Sequence, residues 1–191
     1  SSETRAFRAA PERATKALKR TAIDWIRRLV ASGGTEMLSG VKHAMRELRP
    51  GSQRQVVLIT DGLVGFEREI VTTLLAELPR TARLHALGVG SAVNRSLLAP
   101  IARAGRGIEA IVGLGEDPER AAKRLLSRTV APALVDVVIE GSALRSVAPS
   151  RPSDVYAGAP LRLAVELAPE GGTLVVRGRT AEGGFVRDIS V

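Results

Sequence analysis

Residues 54–65, RQVVLITDGLVG, decide the fold. Val56, Val57, Leu58 and Ile59 form an unbroken apolar run, which reads as a parallel strand covered by helices on both faces. The run passes straight into Thr60-Asp61-Gly62, where Gly62 permits the turn. Ligands of open α/β sheets gather outside the carboxyl ends of the strands, so Asp61 stands where a functional carboxylate is expected. Upstream, Gly33-Gly34-Thr35 forms a second loop between two helical patterns. Together the two loops offer a hydroxyl and a carboxylate.

Working outward, Ala14, Leu18, Ala22, Trp25, Ile26, Leu29 and Val30 recur at helical spacing and predict a helix from Pro11 to Ala31. Thr35 reads as the N-cap of a second helix through Leu38, Val41, Met45 and Leu48, closed by Pro50-Gly51. Downstream come a helix over 66–78, a strand over 82–89, a helix capped by Asn94 that ends at Gly105, a strand over 108–112 and a helix opened by Asp117-Pro118. Helix alternating with strand is the signature of a parallel sheet with crossover helices, a Rossmann-like α/β fold. The rhythm changes at Pro132. Beyond it, 135–140, 161–167, 173–179 and 185–191 read as strands separated by Gly, Pro and Ser, and predict one small antiparallel sheet beside the α/β part. The expected organisation is a tail over 1–10, an α/β unit over 11–133 and a β-rich segment over 134–191.

Composition narrows the function. The chain of 191 residues carries a net charge of +8 and no cysteine, which excludes disulfides, thiolate nucleophiles and cysteine-held zinc. No apolar run approaches the roughly 18 residues of a membrane span. The positive charge is almost all Arg, with Lys at 16, 19, 42 and 123 alone, and it is scattered over every element as on a solvated surface. A basic nucleic-acid-binding domain is the alternative function. Aromatic residues make up only 3% of the chain, which leaves few platforms for base stacking. Gly88-Val89-Gly90 lacks the third glycine of a dinucleotide loop, Val93 standing in its place. His43 and His85 lie inside a predicted helix and strand and read as structural. No nucleophile and base set emerges, so no enzymatic activity is expected, and the compartment stays open.

GGTEM at 33–37, VVLITDGLVGFE at 56–67 and ALGVGSAVNRSLLAPIARAGRG at 86–107 resemble the von Willebrand factor A (vWA) domain. The likeness extends to bacterial proteins that pair it with a vault/inter-alpha-trypsin (VIT) domain. DVVIEG at 136–141, PSDVYAGAPL at 152–161 and TLVVRGR at 173–179 resemble the β-rich segment that follows in those proteins. The resemblance implies protein–protein adhesion through magnesium held at a metal-ion-dependent adhesion site (MIDAS), with Thr35 and Asp61 matching its threonine and aspartate. Their oxygens are then expected on the order of 4 to 7 Å apart, leaving one position of the cation for a partner's carboxylate. The family's Asp-x-Ser-x-Ser motif occurs nowhere in the 191 residues. The resemblance therefore implies an A domain without its first strands, an incomplete site, and weak or absent Mg2+ binding by this chain alone. It also implies that the strand over 55–60 forms a sheet edge, covered by the N-terminal half of the same domain or by a second copy. The protein ligand itself is not implied.

Overall fold

A computed structural model of the chain describes residues 4–30, 37–46, 54–61, 67–79, 81–91, 93, 95–129, 132–156 and 160–191. The elements run α1 (Lys16–Arg27), α2 (Met37–Arg46), β1 (Arg54–Thr60), α3 (Glu67–Glu77), β2 (Ala82–Val89), α4 (Arg95–Ala104), β3 (Arg106–Val112) and α5 (Pro118–Thr129). Six strands follow: β4 (Pro132–Glu140), β5 (Leu144–Ala148), β6 (Val155–Tyr156), β7 (Ala164–Leu167), β8 (Thr173–Thr180) and β9 (Gly183–Ser190). The first helix starts at Lys16 rather than Pro11, because Thr15 takes an extended conformation and its hydroxyl accepts the Leu18 N–H at 3.2 Å.

β1, β2 and β3 form a parallel sheet in that order, with Val56 opposite Leu84 and Leu58 opposite Ala86. Crossovers of this βαβ kind place helices against the sheet. Met37, Val41 and Met45 of α2, Ile70 and Leu74 of α3, and Leu98 and Ile101 of α4 pack with Leu84, Ala86, Val56 and Leu58 into the main core. On α5, Ala121 and Leu125 are buried.

Expected burial of β1 on both faces is not observed. Its side chains alternate: Val56 and Leu58 pack inward, whereas Val57 and Ile59 are 41% and 63% exposed. A run such as VVLI shows what a strand could bury, and the second layer that would cover Val57 and Ile59 is not found among the described residues. Nor does α1 supply it. None of its residues is buried, Ile23, Ile26, Leu29 and Val30 on and after it are exposed, and Trp25 leans instead on Phe7 with ring centroids 5.7 Å apart.

The β-rich segment forms two antiparallel sheets where one was expected, a four-stranded one in the order β6-β4-β8-β9 and the ribbon β5-β7. Sequence patterning misses β5 and β6, which have five and two residues among Pro and Ser. The segment is fastened to the α/β unit by buried ions. Arg83 of β2 donates from Nε and Nη2 to the two carboxylate oxygens of Asp154, both at 2.6 Å, and from Nη2 to Asp136 of β4 at 3.1 Å.

Candidate functional site

The carboxyl ends of the parallel strands meet along one edge. Asp61 follows β1 there and is exposed, while Thr35 lies outside the described residues. Gly90 closes β2 at a φ of +123°, a conformation that favours glycine, and its N–H donates to the Val112 carbonyl at 3.0 Å. After β3, Glu116 accepts the Gly113 N–H at 3.3 Å and pairs with Arg124 at 2.6 Å, and Arg124 holds its carboxyl below the ordinary range. Asp117 accepts the Glu119 N–H at 2.9 Å, opening α5 as a cap. Both acidic residues beyond β3 are thus engaged in closing the loop and starting a helix. Among the described residues no group of three or more His, Cys, Asp or Glu is placed to hold a metal ion. A magnesium ion at this edge would draw on Asp61 from the described residues.

Beside that edge lies the outer flank of β1, whose strand partner in the sheet is β2. The flank joins an apolar face, Val57 and Ile59, to Asp61 at the end of the strand.

His85 is structural, as expected. It is fully buried in β2, its Nδ1 accepts the Ile108 N–H at 3.0 Å, and its Nε2 meets the Gln55 side-chain oxygen. That pattern assigns the hydrogen to Nε2. Burial, followed by the nearby charge of Arg83, pushes its pKa down to about 4.

The reading of the scattered arginines as a solvated surface does not extend to the other end of the sheet. The Arg83 side chain is 4% exposed and that of Asp154 1%. Against burial, which lowers it, Asp154 and then Asp136 hold the Arg83 pKa above its ordinary value. Against burial, which raises it, Arg179 and then Arg83 hold Asp136 below the usual carboxylate range. Arg106 at the start of β3 is buried as well. The available signal was an Arg and a His inside the otherwise apolar run ARLHALGV, charged and polar groups that a buried strand admits only with partners.

The family model for the von Willebrand factor type A domain matches residues 3–111. Two von Willebrand factor A domain-containing proteins of Dictyostelium discoideum are similar to the chain, one 30% identical over 113 residues and the other 28% identical over 131. Those matches cover 59% and 68% of this chain but only 12% and 14% of the relatives, so the chain spans a small part of their length. Among solved structures, a von Willebrand factor type A protein from Catenulispora acidiphila aligns over 93% of this chain and 51% of its own, with a TM-score of 0.56 at 18% identity, a likeness of fold. The matched residues take in β1, β2 and α1 to α4 and run into β3, and they make up more than half of the 191. The chain therefore belongs to the von Willebrand factor A domain family, whose members generally serve as protein-interaction modules.

Proposed function

We propose that this chain binds a protein partner through the β1 side of its sheet, and that the adhesion site at the neighbouring carboxyl edge is incomplete. The observation that supports this reading is the exposure of Val57 and Ile59 on a strand paired with β2 alone among the described strands. A row of backbone amide and carbonyl groups at such an edge is a template for another strand, and apolar side chains beside it add area to bury. The partner is either a polypeptide carrying the first half of the domain or a second copy of this chain. Thr35 and Asp61 form the remnant of the metal site, which by itself binds Mg2+ weakly or not at all. The β-rich segment fits a parent protein that pairs this domain with a VIT domain, as the sequence resemblance implies.

Light scattering of the purified chain over a range of concentrations tests the reading, together with Ile59→Lys, which puts a charge on the exposed face. The expected result is self-association that weakens in the variant, or a monomer whose amides over 56–59 exchange quickly until the partner binds. A monomer at high concentration with slowly exchanging amides over 56–59 would show that the edge is already covered, and the proposal would fail.

A further inference from the structure

At the amino ends of β2 and β3, the far end of the sheet from Asp61, a cleft of about 480 Å3 opens between the α/β unit and the β-rich segment. Leu78, Val137 and Val138 line it together with Arg83, Arg106 and Arg151. The charges do not balance. Asp154 and Asp136 are taken up by Arg83, and Asp136 also by Arg179, whose Nε lies 3.1 Å away. Arg106 is only 9% exposed, and its Nη2 donates to the carbonyls of Pro79 at 2.5 Å and Ala82 at 3.1 Å. Among the described residues no carboxylate forms an ion pair with it.

Asp136 and Asp154 attract Arg106 from a distance, but its hydrogen bonds go to carbonyl oxygens, and a buried cation so held is costly and favours a further anion. Burial, and after it the charge of Arg83, lowers the Arg106 pKa to about 10, so the group still carries its proton at neutral pH. Backbone strain marks the same place. Arg106 and Asp136, both lining the cleft, each have a φ of 53°, and they are the non-glycine residues of the described chain in that region. Strain of this kind persists where the surroundings hold a site in shape.

We propose that this cleft binds one aliphatic carboxylate. Its carboxylate accepts from the Arg106 guanidinium beside the engaged Nη2, with Arg151 at the mouth, and its hydrocarbon part lies against Leu78, Val137 and Val138. A single negative charge matches a buried cation that, among the described residues, forms no ion pair of its own, and the guanidinium hydrogens not used on the Pro79 and Ala82 carbonyls are left to donate to it. The apolar wall distinguishes this ligand from inorganic phosphate, which would leave that wall unused. Such a carboxylate comes either from a free short-chain acid or from the C-terminus of a peptide ending in an aliphatic residue. The site is independent of the β1 edge and stands or falls separately from it.

Calorimetry and amide chemical-shift titration of the whole chain with four organic probes, hexanoate, hexanol, N-acetyl-leucine and N-acetyl-leucinamide, test the proposal, with inorganic phosphate as the fifth probe. At least one of the two acids binds with a dissociation constant on the order of 1 mM or tighter, and its uncharged counterpart binds at least about tenfold more weakly. Hexanoate binding points to a free acid as the source, and binding of N-acetyl-leucine alone points to a peptide terminus. Arg106→Gln weakens the bound acid by about tenfold or more, and Arg151→Gln by a few fold, about threefold. Should Arg106→Gln not fold, Arg151 decides, since its side chain is exposed and its substitution leaves the buried ions in place. The proposal is overturned if acids and uncharged counterparts bind alike, if phosphate binds more tightly than either acid, if neither acid binds at about 10 mM, or if the folded variants bind as the parent does.

Discussion

Acidification should destabilise this protein in a pH range where few other groups titrate, and His85 is the reason. The ring is fully buried in β2, with Nδ1 accepting from the Ile108 N–H and Nε2 donating to Gln55. Protonating Nδ1 would put a second hydrogen against that N–H. An unfolded chain takes up the proton near the ordinary value of 6.5, whereas the folded one holds it off until about 4. Between those values the unfolded state binds more protons, so stability rises with pH; it is fully present above about 6.5 and lost as pH falls towards 4. At about 1.4 kcal/mol per pH unit, the interval from 6.5 to about 4 comes to about 3 kcal/mol, of which about 2 kcal/mol is already gone at pH 5. The carboxylates held below their ordinary range, Asp136 and Glu116, lose their contributions only below about their ordinary values of 3.8 and 4.5, which leaves the interval from 6.5 to 5 to histidine. The chain has two histidines, so a His43→Gln background isolates the signal. Urea unfolding of that variant at pH 7 and pH 5, alongside the ring carbon shift of His85 across the range, makes the measurement. A His85 that titrates near 6.5, or equal urea stability at the two pH values, would refute the reasoning.

Two further outcomes are expected. Asp154→Ala removes both carboxylate oxygens that face the Arg83 fork, leaves Nη2 its bond to Asp136, and should cost about 3 to 5 kcal/mol in urea unfolding; a loss below about 1 kcal/mol would mean that water replaces the pair. Calorimetric titration with Mg2+ should give a dissociation constant no tighter than about 1 mM, since one carboxylate cannot replace the shell of a cation that dehydrates reluctantly. Submicromolar affinity that disappears in Asp61→Ala would show that further ligands complete the site.

The α/β half is legible in the sequence because its signals are local. Ala82–Val89 forms the expected strand, and Asp117-Pro118 opens α5 through a side-chain cap and a proline that needs no N–H donor. What escapes is whatever depends on a neighbour distant in sequence. Arg83 and Asp154 are 71 residues apart, and although Arg83 inside an apolar strand asks for a partner, nothing along the chain says that Asp154 is the one. Gly107 gives another case. A Cβ there would stand 2.1 Å from the Leu84 carbonyl oxygen, a closeness between β3 and β2 that no spacing along the chain announces. Of the two residues that the resemblance assigns to a metal site, Asp61 follows the carboxyl end of β1 and Thr35 falls outside the described residues.

The two ends of the sheet differ in how they are held, and the difference bears on where a partner can act. At the amino ends of β2 and β3, buried arginines lock the α/β unit to the β-rich segment, and the bidentate Arg83–Asp154 pair fixes both position and angle. On the β1 side the contacts are apolar and stop halfway: Val56 and Leu58 anchor the strand to the core while Val57 and Ile59 face outward. Fully burying a side chain of that size stabilises by about 1.5 to 3 kcal/mol, so covering what the two still expose would yield a fraction of that from each. Backbone pairing along the seven residues of β1 adds hydrogen bonds worth about 0.5 to 1.5 kcal/mol apiece. Neither contribution alone overcomes the entropy lost in association, but they act on the same strand. A partner that brings both a strand and an apolar layer is therefore favoured over one that brings either, which is why substitution on the Ile59 face should weaken association even though it leaves the backbone of β1 unchanged.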